Sequence, residues 1–350
     1  MKFGIQLPQA GVMFAGIKDP VQAYETMTQA AQLADECGYE TVWLADHFMP
    51  TVLHPSAREE DMVFECWTAL SALARDTKRV RLAHAVTCNG YRNPALLAKM
   101  ASTVDVLSHG RLTLGIGAGD YEEEFRAYGY AYPDAPVRLR QLREAVQIIL
   151  AMWTQDEATF EGQYYQVRGA INEPKGVQKP HIPLLIGGAG EQVTLKIVAH
   201  YADACNVFGA PAAMEHKFAV LKTHCEAVGR PYESIRRTAT VLCAIGETDE
   251  QALASITDAE RAMLVRNLQW MGKSLAKDDS LVEAGTALAT GGEHSAFLSM
   301  GLIGSPETIR KSIAAHQAAG VQEVRLHLLD GAKPESIRLF AKAFIKEGGI

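Results

Sequence analysis

The sequence predicts an α/β chain folded as a (β/α)8 TIM barrel with insertion segments. Three observations carry this prediction. Short β-rich runs alternate with helical patterns about eight times, and repeated βα alternation selects a parallel sheet that closes at that number of units. The 350-residue length exceeds the roughly 250 residues typical of such a barrel, and no proline-rich or low-complexity linker divides it. Glycines and polar residues gather just after the strands, on the face where barrels carry their chemistry. A single domain over residues 1–350 is expected, with excursions near 155–180 and 267–300.

Residues 3–7 read as the first strand. An amphipathic helix over 20–37 follows, opened by Pro20 and closed by Gly38. Residues 41–45 form the next strand, then a loop and a helix over 65–75. Residues 80–87 are the third strand, and 94–107 a helix with Pro94 in its first turn. A fourth strand over 112–118 leads to a long helix over 137–153. Residues 184–186 with the helix after Glu191, and 204–207 with the helix from Pro211, repeat the unit. Residues 237–244 and 323–328 supply two late strands, each followed by a helical pattern. Two segments break the rhythm. Residues 158–167, with the Glu161-Gly162 turn, read as a hairpin outside the barrel. Residues 267–300 carry small residues with weak periodicity, either a covering element or a surface insertion.

Composition narrows the function classes. Lys and Arg total 34 against 41 Asp and Glu, a net charge of −7, so no uniformly basic field exists to hold nucleic acid or an anionic membrane. Six cysteines are scattered singly without a C-x-x-C pair, which fits a reducing compartment rather than a zinc or disulfide framework. The chain enters its first strand without a charged and then apolar leader, and no 18-residue apolar run appears, so neither a signal peptide nor a membrane span is expected. A soluble, cytoplasmic protein acting on a small molecule is the expectation.

The residues after each strand are the candidate site. Asp46 and His47 follow the second strand, Thr87 and Asn89 the third, and Gly117, Gly119 and Asp120 the fourth. Gly187, Gly188, Ala189 and Gly190 follow the fifth, and Asn206 the sixth. The imidazole of His47 titrates near neutrality and suits a reacting heterocycle, or else tethers its loop. No metal is expected, because His47, His54 and Asp61 follow no ligand spacing. The Gly187–Gly190 loop joins a strand to a helix, which suits a phosphate at the helix amino terminus or simply a tight turn. It matches neither a P-loop nor a full G-x-G-x-x-G fingerprint. The alternating Gly115, Gly117 and Gly119 either clear space for a flat ring or relieve crowding within the barrel. Asp120 reads as a proton donor with a burial-raised pKa, or as a helix cap. The run Glu122-Glu123-Glu124 reads as a solvated helix start.

Taken together, residues 43–48 (WLADHF), 91–100 (YRNPALLAKM), 107–119 (LSHGRLTLGIGAG), 180–191 (PHIPLLIGGAGE), 201–206 (YADACN), 304–307 (GSPE) and 319–324 (AGVQEV) resemble the bacterial luciferase-like flavin and deazaflavin oxidoreductases. The nearest resemblance is to the F420-dependent oxidoreductase branch; residues 211–300 carry no specific match. The resemblance implies a ring bound at the strand carboxyl ends, with His47 near its pyrimidine side or reactive carbon. It places Thr87 and Asn89 beside the ring, on a bulge that often holds a non-proline cis peptide. It gives the cofactor phosphate to Gly187, Gly188 and Gly190, and suggests a homodimer. Asp120 stands where a sugar-phosphate dehydrogenase of the family has an acidic proton donor, whereas many members of the nearest branch carry an aromatic residue there. The implied reaction is hydride transfer between F420 and an organic substrate; the alternative is an FMN-dependent luciferase-like monooxygenase.

Overall fold

A computed structural model describes residues 1–14, 16–49, 62–256, 261, 265 and 301–346. Its strands are β1 (Lys2–Gln6), β2 (Thr41–Leu44), β3 (Arg81–His84), β4 (Thr87–Cys88), β5 (Leu112–Gly117), β6 (Ala158–Glu161), β7 (Gln166–Ala170), β8 (Leu184–Gly187), β9 (Ala204–Phe208), β10 (Arg236–Ile245), β11 (Leu302–Gly304) and β12 (Glu323–Leu328). Parallel pairing runs β1-β2-β3-β5-β8-β9-β10-β12, and β12 pairs with β1 to close the ring. This is a TIM barrel. The hairpin expected near 158–167 is the separate antiparallel pair β6–β7. The expected element over 267–300 lies outside the described residues, as do His54 and Asp61.

Local sequence sets the helices. The helix α1 (Pro20–Cys37) starts where the Asp19 carboxylate accepts a hydrogen bond from the Val21 N–H at 2.9 Å. It stops at Gly38, whose φ of 86° is open to glycine at little cost. In α2 (Cys66–Asp76) and α3 (Pro94–Leu107), Glu65 and Asn93 cap the free amides in the same way. The long helix over 137–153 starts earlier than read, as Ala135–Thr154, because Asp134 caps the Val137 N–H. One short strand was not read from the sequence: β11 extends the sheet beside the end of β10.

Alternation along the strands divides inside from outside. On β12, Val324, Leu326 and Leu328 join the core beneath the helices. Glu323, Arg325 and His327 alternate with them and so face the barrel interior. Trp43, Ala83, Leu185 and Ala204 fill that interior below the mouth.

The third strand is not continuous as expected. It breaks after His84, and Ala85–Val86, joined by a cis peptide, bulges inward before β4 resumes. The neighbouring glycines explain how the bulge fits. A Cβ on Gly115 would lie 1.9 Å from the His84 carbonyl oxygen, and one on Gly117 would lie 2.7 Å from a Val86 methyl. The glycines of β5 therefore relieve crowding by the third strand, the second of the two readings of their alternation.

Candidate functional site

The carboxyl ends of the strands surround a cavity of about 610 Å³. Most of the residues named from the sequence meet on its wall: Asp46, His47, Gly117, Gly119, Asp120, the Gly187–Gly190 loop with Ala189, and Asn206. Thr87 and Asn89 do not. Thr87 is wholly buried, and Asn89 turns to a smaller pocket of about 280 Å³, where its amide donates to the Tyr165 hydroxyl at 3.2 Å.

His47 leaves β2 onto a loop fixed from across the barrel mouth. Its Nδ1 lies 3.0 Å from Glu124 Oε2. The same carboxylate, fully buried, accepts from the Phe48 and Met49 N–H groups at 2.6 and 3.1 Å and from the Tyr91 hydroxyl at 2.5 Å. Burial alone would lower the His47 pKa; the Glu124 hydrogen bond and charge, with Asp120 and Asp46, outweigh it and raise it above 6.5. Burial would raise Glu124, but His47, Tyr91 and the Phe48 amide hold it below its ordinary 4.5. The pair therefore favours imidazolium beside carboxylate. This corrects the reading of the Glu122-Glu123-Glu124 run as a solvated face: Glu123 is exposed, but Glu124 is fully buried and holds His47 from behind the cavity wall. The signal was present in helical spacing. In α4 (Glu122–Ala127), Glu124 lies three residues after the N-cap Tyr121, on its face, and both are buried.

Asp46 reaches the cavity wall, but its carboxylate is engaged behind it. Arg92 grips it at 2.6 and 3.0 Å, the Cys88 N–H donates at 2.8 Å, and the Cys66 thiol lies 3.2 Å away. Arg92 also reaches Glu65 at 2.6 Å. Asp46, Glu65 and Cys66 place ligand atoms within 4.8 Å of one another, yet the Arg92 guanidinium already occupies both carboxylates. Asp46 thus joins the ends of the second and third strands rather than offering a free acid.

Asp120 follows β5 by three residues without capping a helix. The N-cap position of α4 is Tyr121, and no side-chain cap bond is made there. Burial raises the Asp120 pKa above 3.8, while His47 and Arg138 pull it partly back. Arg138, on α5 (Ala135–Thr154), donates to the Gly119 carbonyl at 3.0 Å and so braces the segment that carries Asp120.

The loop after β8 has the donor chemistry an anion needs. Gly188 sits at φ 121°, a conformation that favours glycine. Its N–H is turned to the Asn206 carbonyl at 3.3 Å, whereas the Ala189 and Gly190 N–H groups make no hydrogen bond among the described residues. Those amides lie on the cavity wall ahead of α6 (Thr194–Tyr201). A phosphate fits this donor set. Asn206 instead spends its side chain on the barrel: its amide donates to Thr238 at 2.9 Å, and its oxygen accepts from Thr240 at 3.0 Å.

Sequence reasoning also passed over Arg325 and His327, which line the cavity from β12. Their alternation with apolar residues reads as an ordinary half-exposed strand until barrel closure turns the polar side inward.

Comparison with known proteins agrees with this architecture. An uncharacterised protein of Mycobacterium tuberculosis is 35% identical over 190 residues, 51% of this chain and 66% of that protein. An F420-dependent glucose-6-phosphate dehydrogenase of Amycolatopsis mediterranei is 29% identical over 232 residues, 65% of this chain and 67% of that enzyme. The match thus spans about two thirds of the length of these relatives. Among solved structures, an F420-dependent secondary alcohol dehydrogenase in complex with an F420-acetone adduct superposes with a TM-score of 0.78 at 19% identity, covering 98% of both chains. That likeness establishes the fold. Among the described residues, no helix is long and apolar enough to cross a membrane. The luciferase-like monooxygenase family model matches residues 1–323, and the chain belongs to that family.

Proposed function

We propose that this chain is an F420-dependent oxidoreductase that transfers a hydride between the deazaflavin and a small organic substrate at the barrel mouth. The observation that carries this reading is a single cavity holding two complementary features: the His47–Glu124 pair and the open amides of Ala189 and Gly190. The relatives named for F420 chemistry support it. Bound F420 supplies a carbon that gives or accepts a hydride.

The chain's own residues divide the remaining work. Ala189 and Gly190 N–H groups hold the phosphate, and the start of α6 adds its favourable dipole. Glu124 raises the His47 pKa and so favours its protonated form, in which the ring nitrogen that faces away from Glu124 presents an N–H that steadies negative charge developing beside it. Asp120, whose pKa burial raises above 3.8, offers a carboxyl group for proton transfer on the same side of the mouth, two strands round from His47. The Val86 bulge gives the cavity an apolar shelf between them.

The phosphate assignment predicts a charge-specific effect at Ala189. Ala189→Asp sets a carboxylate beside the open amides, and Ala189→Asn adds the same bulk without charge. F420 affinity, followed by its fluorescence, is expected to be about tenfold weaker for the Asp variant than for the Asn variant, narrowing at high salt. Equal affinities in the two folded variants would remove the phosphate from this loop.

A further inference from the structure

Among the described residues, Arg325 is a charged group with no counter-charge. It projects from β12 into the barrel and lines the cavity. One guanidinium nitrogen donates to Thr240 Oγ1 at 3.1 Å and the other to Gln6 Oε1, both neutral acceptors. Its Nε is buried without a partner among the described residues. The carboxylate two residues earlier on the same strand, Glu323, is committed elsewhere: it lies 3.4 Å from Arg236 and accepts from Thr41 at 2.8 Å. His327, one step nearer the mouth, gives no negative charge either. Burial first, and then the Arg325 cation, draws its pKa down to about 4, which leaves the ring neutral near pH 7. Burial draws Arg325 down to about 10, so it remains charged. Buried charges in folded proteins are ordinarily paired. A cation held by neutral groups on a cavity wall therefore calls for a negative charge from whatever enters.

Position separates this anchor from the cofactor residues. In the closed ring, β12 lies between β10 and β1, directly across from β5, which leads into Asp120. The Val86 bulge and the Gly187–Gly190 loop belong to the third strand and to β8, on the same side as β5. The apolar wall begins one step further on, with Leu242 on β10 in register with His327 and Phe208 on β9 in register with Thr240. One guanidinium next to a neutral imidazole matches a single negative charge, and its planar fork matches a carboxylate.

We infer that the substrate is a small organic acid whose carboxylate binds Arg325, with its apolar body against Phe208 and Leu242 and its reacting end toward Asp120. This names the substrate class for the F420 reaction proposed above and rests on that reading for its chemistry, though not for the binding itself.

The test is calorimetric titration of the protein, with and without F420, using benzoate and its neutral isostere benzamide. Benzoate is expected to bind about tenfold more tightly than benzamide, because the amide leaves the guanidinium unpaired. Arg325→Met should abolish the preference while F420 affinity stays within about twofold, and Arg325→Lys should retain only part of it. Equal binding of the two probes to the wild-type protein, or no benzoate binding, would overturn the inference without any variant. Loss of F420 affinity in folded Arg325→Met would also overturn it, by assigning the cation to the cofactor. If F420 fails to bind the wild-type protein, the proposed function falls, and the titration of cofactor-free protein still decides the role of Arg325.

Discussion

Glu124→Ala is expected to destabilise the fold by about 3 kcal/mol, the lower end for breaking a buried ion pair because the His47 side chain is partly open to the cavity. The substitution strands four donors at once: the His47 ring, the Tyr91 hydroxyl and the Phe48 and Met49 amides. Glu124→Gln is the more informative partner, since it keeps the volume and removes the charge. With the carboxylate gone, burial is left to dominate His47, and its pKa should fall from above 6.5 to below it. The stability difference should itself depend on pH. The Glu124 pKa is lowered in the fold, so its contribution is present above about pH 4.5 and fades as pH falls through the lowered value. The His47 pKa is raised, so its contribution is present below about pH 6.5 and fades as pH rises through the raised value. The difference between wild type and Glu124→Gln should therefore be greatest between about pH 4.5 and 6.5, as measured by denaturant unfolding. A difference independent of pH would show that Glu124 acts only as a neutral acceptor.

Gly115→Ala should be at least as damaging. The new Cβ would stand 1.9 Å from the His84 carbonyl oxygen, and backbone rather than a flexible side chain must move. Overpacking of this kind costs about 1–3 kcal/mol, and more where backbone is displaced. The displaced segment leads directly into Ala85–Val86, so the cavity shelf should shift with it. Lower unfolding midpoints together with weakened cofactor binding are the expected result; a fully stable variant with normal binding would mean that the two strands are held less closely than described.

Much of this architecture was legible because local chemistry and tertiary packing agree. The limits of α1 and α3 follow from Pro20, Gly38 and Pro94, residues with narrow backbone preferences. The strand ends yielded His47, Asp120 and the Gly187–Gly190 loop because a barrel sends such residues to its mouth. The bulge at Ala85–Val86 was implied by the family resemblance but not by the strand pattern, which read 80–87 as continuous, since the glycines that admit it lie on other strands. Glu124 was misread because charge was weighed above helical face. Arg325 and His327 were passed over for a related reason: alternation shows that a strand has two sides, and only closure of the barrel shows that the polar side points inward. The middle of the chain gave no motif, and residues 266–300 lie outside the described structure.

The central claim is that this cavity takes a deazaflavin. Titrating the purified protein with F420 and, separately, with FMN, while following ring absorbance and fluorescence, tests it most directly. The expected result is a saturable change with F420 and none with FMN over the same range, with the F420 response weakened in Glu124→Gln. Saturable FMN binding without an F420 response would contradict the claim and identify the cavity as a flavin site.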